Sequence, residues 1–477
     1  MNLQTPEPAA GKSTTPPDAR PLVLVISVSA GAGHVRAGQA LCAASGSGAA
    51  PCRMLHLDAL DFMPAHFRWL YADLYLRLVR HWPAGWRRLY DRMHRAAPDD
   101  LLQRLRRRLE RRLAAALLRR IDQLRPSAIV CTHFMPAELL AYRQESSRHV
   151  CPVWIQITDF DVHRLWIQPG ISGYCVAGDV AAQRLLEAGV AASAIHRTGL
   201  PLMPGFAAAA STHASTAAAG FASTSAPGTA ARSITYPMTR TLTRADSLPT
   251  SRHACAARLG IDARAPTVLL MGGGAGSGDL YGLARQLLAG EDRLQIIVLA
   301  GRNAVLAKAL GGLSAAHPKH LLVQGFTGEV ESFMACADLV VTKPGGLSTA
   351  ECLAMGLPMI LHAPIPGQEE ANAAILVAAG VARLASDAQA VCTQVRSLLG
   401  APLARAAMAR RARALARPAA AADVLARVLD GQAGAAPGMA STMASMVSMQ
   451  AESPHRIRLP PPQVPFRRMK PNARVCR

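Results

Sequence analysis

Two stretches of this 477-residue chain set glycines beside short polar side chains in a pattern suited to anion and sugar chemistry. One opens as Lys343-Pro344-Gly345-Gly346-Leu347-Ser348-Thr349-Ala350-Glu351 and closes as Pro364-Ile365-Pro366-Gly367-Gln368-Glu369-Glu370-Ala371-Asn372. Gly345 and Gly346 open a predicted helix that could face a diphosphate. Ser348 or Thr349 can cap it, and Glu351 on its first turn could accept both hydroxyls of a ribose. Pro366 and Gly367 predict a turn, which leaves Gln368, Glu369 and Asn372 as short hydrogen-bonding groups of the kind a sugar needs. The other stretch, Gly272-Gly273-Gly274-Ala275-Gly276-Ser277-Gly278, removes side chains where backbone N–H groups and a helix start could approach a phosphate. It departs from GxGxxG spacing and no obvious acid ends the next strand, which disfavours a nicotinamide cofactor; a tight turn without ligand is the alternative.

Such loops need a strand before them and a helix after them. LVLVISVS from Leu22 precedes AGAGH, and TVLLM from Thr267 precedes GGGAGSG. A β-rich apolar run, a glycine turn and an Ala/Leu-rich helix pattern form the first unit of a doubly wound parallel sheet, so two of them predict two Rossmann-like domains. Further strands are predicted at Ala128 to Cys131, Val153 to Thr158, Gln295 to Ala300, Leu321 to Gln324 and Leu339 to Thr342. Low-complexity segments that cannot bury enough apolar surface to order themselves divide the rest. The expected organisation is a disordered tail over 1–20, a domain over 21–206, a linker over 207–254, a domain over 255–430 and a disordered basic tail over 431–477.

Composition narrows the class. Half of the residues are hydrophobic but only 4% are aromatic, which suits α/β layers with small residues at helix–sheet contacts. A net charge of +21 predicts an anionic partner. The ten cysteines show neither CxxC pairs nor zinc-site spacing, so no disulfide framework and no structural metal is expected, and a reducing cytoplasm fits. No apolar run is long enough to span a bilayer, and the apolar run after Arg20 leads into a functional-looking loop rather than a signal-peptide cleavage site. Residues 66–125 hold sixteen Arg and no Lys, interleaved with Trp69, Tyr71, Tyr75, Trp82, Trp86 and Tyr90 at helical periodicity. Arginine with aromatic and leucine side chains on one surface predicts an interfacial helix on an anionic phospholipid membrane, each cation contributing about 1 kcal/mol. A solvated basic face is the bland alternative, and no nucleic-acid signature accompanies the charge.

In order along the chain stand Ser29-Ala30-Gly31-Ala32-Gly33-His34, Thr158-Asp159-Phe160 with His163 and Trp166, Thr198-Gly199-Leu200-Pro201, Gly301-Arg302-Asn303, Gly325-Phe326-Thr327, Lys343-Pro344-Gly345-Gly346 and the Pro366 to Asn372 block. In these segments, over roughly 21–385, the chain resembles the monogalactosyldiacylglycerol synthase and processive diacylglycerol glucosyltransferase family, related to the peptidoglycan lipid-intermediate N-acetylglucosaminyltransferase. The long linker and both tails depart from the family pattern.

The resemblance implies a GT-B fold in which two domains face a cleft, with the acceptor mainly in the first and the nucleotide sugar mainly in the second. It implies transfer of galactose or glucose from a UDP-sugar to diacylglycerol, with inversion, on the inner face of the cell membrane. Inversion needs a base for the acceptor hydroxyl and a device that stabilises departing UDP. His34, after a loop of small residues including Gly33, is the candidate base. Asp159 either orients His34 or belongs, with His163 and Trp166, to an acceptor-side loop; the DxD spelled by Asp159-Phe160-Asp161 is not read as a metal site. Gly272, Gly273, Gly274, Asn303, Phe326, Thr327, Gly345, Gly346, Ser348, Thr349, Glu351, Gln368 and Glu369 are expected to bind the donor. Trp69, Trp82 and Trp86 are expected at the acceptor or membrane, and no metal or other cofactor is expected. The alternatives are another lipid-linked acceptor, a UDP-sugar epimerase of the same fold, and a non-catalytic lipid or nucleic-acid binding protein.

Overall fold

Uninterrupted apolar strands belong in parallel sheets, where helices cover both faces, and the chain builds two such sheets in succession. The computed structural model describes residues 20–46, 52–95, 101–145, 151–218, 251–290 and 293–433. Its first sheet comprises β1 (Leu22–Ser27), β2 (Arg53–Asp58), β3 (Ala128–Cys131), β4 (Val153–Gln156), β5 (Gly173–Cys175) and β6 (Ile195–His196). They lie in the order β2-β1-β3-β4-β5-β6, every pair parallel. The second comprises β7 (Thr267–Met271), β8 (Gln295–Gly301), β9 (Leu321–Gly325), β10 (Leu339–Thr342), β11 (Met359–His362) and β12 (Ala382–Ala385). Its order, β12-β11-β10-β7-β8-β9, is also wholly parallel. These two Rossmann-like sheets form the GT-B architecture.

Burial on both faces follows the two-residue period of a strand. Val23 and Val25 enter one apolar layer of the first sheet while Leu24 and Ile26 enter the other. In β7, Val268 and Leu270 pack on one side, Leu269 and Met271 on the other. Two helices stitch the halves together. Helix Pro204–Ala218 buries Phe206 and Ala209 in the core of the second half, with Phe333 and Leu353. Helix Ala420–Ala433 returns to the first sheet, where Ala421, Val424 and Val428 cover Val23, Val25 and Trp154.

The observed divisions therefore differ from expected boundaries at 206/207 and 254/255, because helix Pro204–Ala218 runs through the first and helix Arg252–Leu259 through the second. Apolar helix faces, not composition, decide where a unit ends. Residues 219–250 of the expected linker and the expected tails, save Arg20 and 431–433, lie outside the described residues.

The Gly272–Gly278 loop has a backbone that other residues would strain. Gly273, Gly276 and Gly278 have φ of 69°, 60° and 94°, and a Cβ on Gly276 would collide with the Ala300 carbonyl oxygen. Gly276→Ala should lower stability by at least about 1–3 kcal/mol, the cost of the left-handed backbone alone, read as a fall in the urea unfolding midpoint.

Candidate functional site

Open parallel sheets bind ligands at the carboxyl ends of their strands, where the strand order reverses. That point lies between β1 and β3 in the first sheet and between β7 and β10 in the second. β1 delivers the Ser29–Gly33 loop and His34, β3 delivers His133, β7 delivers the Gly272 loop, and β10 delivers Lys343, Gly345 and Gly346. All of these line one cleft of about 1500 Å³ between the two halves.

His34 sits in the first turn of helix Ala32–Ala44. Its Nδ1 lies 2.9 Å from the Thr132 carbonyl oxygen and 2.9 Å from the Thr158 hydroxyl. A carbonyl only accepts, so Nδ1 carries the proton and Nε2 keeps its lone pair. The Thr132 hydroxyl donates back to the His34 carbonyl at 2.9 Å, and the ring packs edge-on against His133 at 4.6 Å. Burial lowers the His34 pKa to about 4, against a smaller upward pull from the Thr132 carbonyl. The imidazole is neutral near pH 7 and can accept a proton at Nε2.

Across the cleft, helix Gly346–Met355 starts at Gly345 with no side chain capping it, so its first N–H groups are open to an anion. Gly346 allows the two halves to meet: a Cβ there would collide with the Thr158 carbonyl oxygen. Gly274 likewise faces Ala32 of the first half. Glu351 lines the cleft although it is only 6% exposed. Burial pushes its pKa up to about 7, with Arg36 pulling it down and Glu331 adding to the rise. Glu369 accepts from the Lys343 ammonium at 2.7 Å and from the Ile365 N–H at 2.8 Å.

The halves are clasped through Asn372. Its Oδ1 accepts the Phe160 N–H at 2.9 Å, and its Nδ2 donates to Asp159 at 3.0 Å and to the Pro344 carbonyl at 3.1 Å. Asp159 therefore holds this clasp, and the two threonines, not Asp159, hold the His34 imidazole. Burial raises the Asp159 pKa to about 6 against the Asn372 bond, with Glu369 adding to the rise.

Several other expected site residues have different surroundings from those anticipated. Thr349 is fully buried and turns its hydroxyl back to the Gly345 and Gly346 carbonyls at 2.9 and 3.0 Å, so it neither caps the helix nor reaches the cleft. Asn303 lines the cleft, but its amide caps helix Ala304–Ala316 through Leu306 N–H and braces the Gly276 carbonyl. Ser348, Gln368, Phe326 and Thr327 reach the cleft, and the Arg302 guanidinium lies 4.1 Å over the Phe326 ring.

Trp166 is 3% exposed and backs the wall behind His34 and His133. His163 accepts Leu165 N–H at Nδ1 and faces the Tyr90 carbonyl with Nε2 at 3.4 Å; burial lowers its pKa to about 3. Trp86, expected at the acceptor or membrane, lines the cleft and donates to the Pro366 carbonyl at 3.2 Å, and Arg87 of the same helix pairs with Glu370. Trp69 and Trp82 remain 48% and 59% exposed and lie off the cleft. Asn372, read from the sequence as a sugar-binding group, instead clasps the halves. Thr158 stood in the Thr158-Asp159-Phe160 segment without an assigned role, and Thr132 carried no signal, since it follows a strand that looks like any other.

Comparison with known families now identifies the two halves. A model described as monogalactosyldiacylglycerol synthase matches residues 34–202, and one described as glycosyltransferase family 28 C-terminal domain matches residues 267–424. The chain pairs these two domains. It is 27% identical over 286 residues to a processive diacylglycerol beta-glucosyltransferase of Bacillus pumilus, covering 59% of this chain and 63% of the relative. It is 26% identical over 279 residues to the protein of the same description in Bacillus subtilis, covering 58% and 62%. The chain thus spans somewhat less than two thirds of the relatives' length. The fold is shared with the Staphylococcus aureus protein MnaA solved with UDP, at a TM-score of 0.51, 10% identity and coverage of 85% and 95%.

The clasp predicts a pH-dependent variant. Asn372→Asp sets a second carboxyl against Asp159, which repels while both are ionised. The variant should lose roughly 2–4 kcal/mol at about pH 8 and regain part of it at about pH 5, where protonation removes the repulsion. Urea unfolding of both proteins at the two pH values measures it.

Proposed function

We propose that this chain is an inverting hexosyltransferase that moves glucose or galactose from a UDP-sugar to diacylglycerol at an anionic membrane surface. The observation that carries the reading is a neutral imidazole with its Nδ1 committed to backbone, facing a side-chain-free helix start and a buried acid across one cleft. His34 Nε2 takes the proton of the acceptor hydroxyl as that oxygen attacks the anomeric carbon. UDP leaves from the opposite face, which inverts the configuration. N–H groups of the Gly272 loop and of the Gly345 helix start stabilise the charge growing on the diphosphate, so the step proceeds without a metal ion.

Glu351 accepts the ribose hydroxyls, Phe326 and Thr327 border the uracil, and Gln368 with Glu369 reads the sugar. The relatives are named beta-glucosyltransferases, so UDP-glucose is the first donor to try. The acceptor side is supported by the exposed row Trp69, Leu70, Leu74, Trp82 and Leu89, with Arg77 5.7 Å over the Trp69 ring. No helix among the described residues is long and apolar enough to cross a membrane; the proposed contact is peripheral, at the cytoplasmic face.

The full chain is incubated with labelled UDP-glucose or UDP-galactose and diacylglycerol in mixed micelles. Expected is a glycolipid product, lowered by about 10³-fold or more in His34→Ala while UDP affinity stays within about threefold. Near-normal turnover of His34→Ala would remove it from the mechanism, and a UDP-sugar altered without acceptor would favour the epimerase.

Flotation tests the membrane proposal separately. Vesicles containing anionic phospholipid should carry the protein upward, those of neutral lipid alone much less, and Trp69→Ala with Trp82→Ala should weaken the difference. Equal recovery with both vesicle types would count against the proposal.

A further inference from the structure

We propose that Arg36, a residue of the first domain, is a positioning residue of the donor site: it crosses the cleft to hold the Phe326–Gly328 ledge and to face the Glu351 carboxylate. The inference rests on the uridine nucleotide reading above and adds to it that the ribose site is complete only while the halves are closed on each other.

Arg36 stands two residues after His34, on helix Ala32–Ala44. Its Nη2 donates to the Gly328 carbonyl at 3.1 Å, a bond between residues 292 positions apart. Gly328 belongs to the turn between β9 and helix Val330–Cys336, directly after Phe326 and Thr327. The helix that carries Arg36 also packs on the helix that carries Glu351. Arg36 and Glu351 both line the cleft. One side chain thus spans from the helix of the candidate base to the ledge and the acid of the opposite half.

The charges around Glu351 show what that side chain does. Among the described residues nothing hydrogen-bonds Glu351, whereas on helix Val330–Cys336 the buried Glu331 leaves Oε2 without a partner. Arg36 acts on both acids, favouring the charged form, while each buried site and the Glu331 charge oppose it at Glu351. Next to Glu331, Glu329 is neutralised by Arg258 at 2.7 Å. From helix Pro204–Ala218, Gly205 meets the Glu331 carboxyl, and from helix Pro402–Leu415, Arg413 lies against Gly356 at the far end of the Glu351 helix. Arg36, which lines the cleft, is therefore the cation whose charge acts on both buried carboxyls, with Arg258 adding at Glu331.

The sign follows. Ribose hydroxyls donate to a carboxylate, so nucleotide affinity should rise as pH passes about 7, where Glu351 ionises. Removing the Arg36 charge raises that pKa further and moves the rise to higher pH. Once pH is high enough to ionise Glu351 in either protein, the difference should close.

Calorimetric titration of UDP into the full chain from about pH 6 to about pH 9 reads this, with Arg36→Met, Arg36→Lys and Glu351→Gln beside the native protein. The titration of the UDP phosphate is common to all four and cancels in the comparison. Expected is a profile for Arg36→Met displaced upward by about one pH unit, hence up to about tenfold weaker binding below the native midpoint, converging with native at the alkaline end. Arg36→Lys should recover part of the shift, and Glu351→Gln should bind weakly with no pH step beyond that of UDP. Profiles for Arg36→Met that superimpose on native, or lie below it by a constant factor, would overturn the inference and leave the uridine reading standing. Absence of UDP binding by the native chain at every pH would overturn both.

Discussion

Among the contacts between the two half-molecules, one buried amide joins the walls of the cleft. Asn372 spends its oxygen on the Phe160 N–H and its nitrogen on Asp159 and the Pro344 carbonyl, and it is fully buried while doing so. A buried amide with these partners stabilises one arrangement and penalises others, because a small displacement leaves several groups desolvated without hydrogen bonds. Gly346 against Thr158 and Gly274 against Ala32 show how little space remains where the halves touch.

Around the cleft, burial sets protonation more than ion pairing does. The His34 and His163 imidazoles are held neutral, and Glu351 and Asp159 are both raised toward neutrality. With these side chains held at or near neutrality, the backbone dipoles of the glycine loop and the helix start remain as features suited to an anionic ligand. Lys343 pairs with Glu369, and Arg36 and Arg302 also line the cleft. The result is a cleft whose fixed polarity comes from N–H groups that need no reorganisation when charge develops nearby.

The arginine-rich segment divides its labour in a way that charge counting misses. Arg106 and Arg107 turn inward to Glu138, and Arg106 also to Glu110, forming a network whose carboxylates are almost fully buried. Trp86 and Arg87 of helix Pro83–Arg95 engage the Pro366–Glu370 turn, and the Tyr90 ring occupies the space beside Gly367. Exposed aromatic surface is left at Trp69 and Trp82. One amphipathic stretch thus supports the fold, braces the turn beside Gln368 and leaves an apolar edge outside.

The residues themselves determined the sheet class, the glycine loops and most central strands, because β-rich apolar runs and glycines that need positive φ are local properties. The predicted strands at Ala128 to Cys131 and Leu339 to Thr342 match β3 and β10. The shorter or more mixed strands β2, β5, β6, β11 and β12 were not legible, since few residues each gave no clear period. Composition likewise suggested a linker and tails but not the helices Pro204–Ala218 and Ala420–Ala433, whose apolar faces acquire meaning only against a partner. Whether Asp159 serves His34 or Asn372, whether Thr349 caps or turns back, and which aromatic residues face outward depended on distances between segments far apart in the chain. Those choices belong to tertiary packing, because hydrogen-bond partners are settled by which groups lose water together, and burial of that kind has no signature in local sequence.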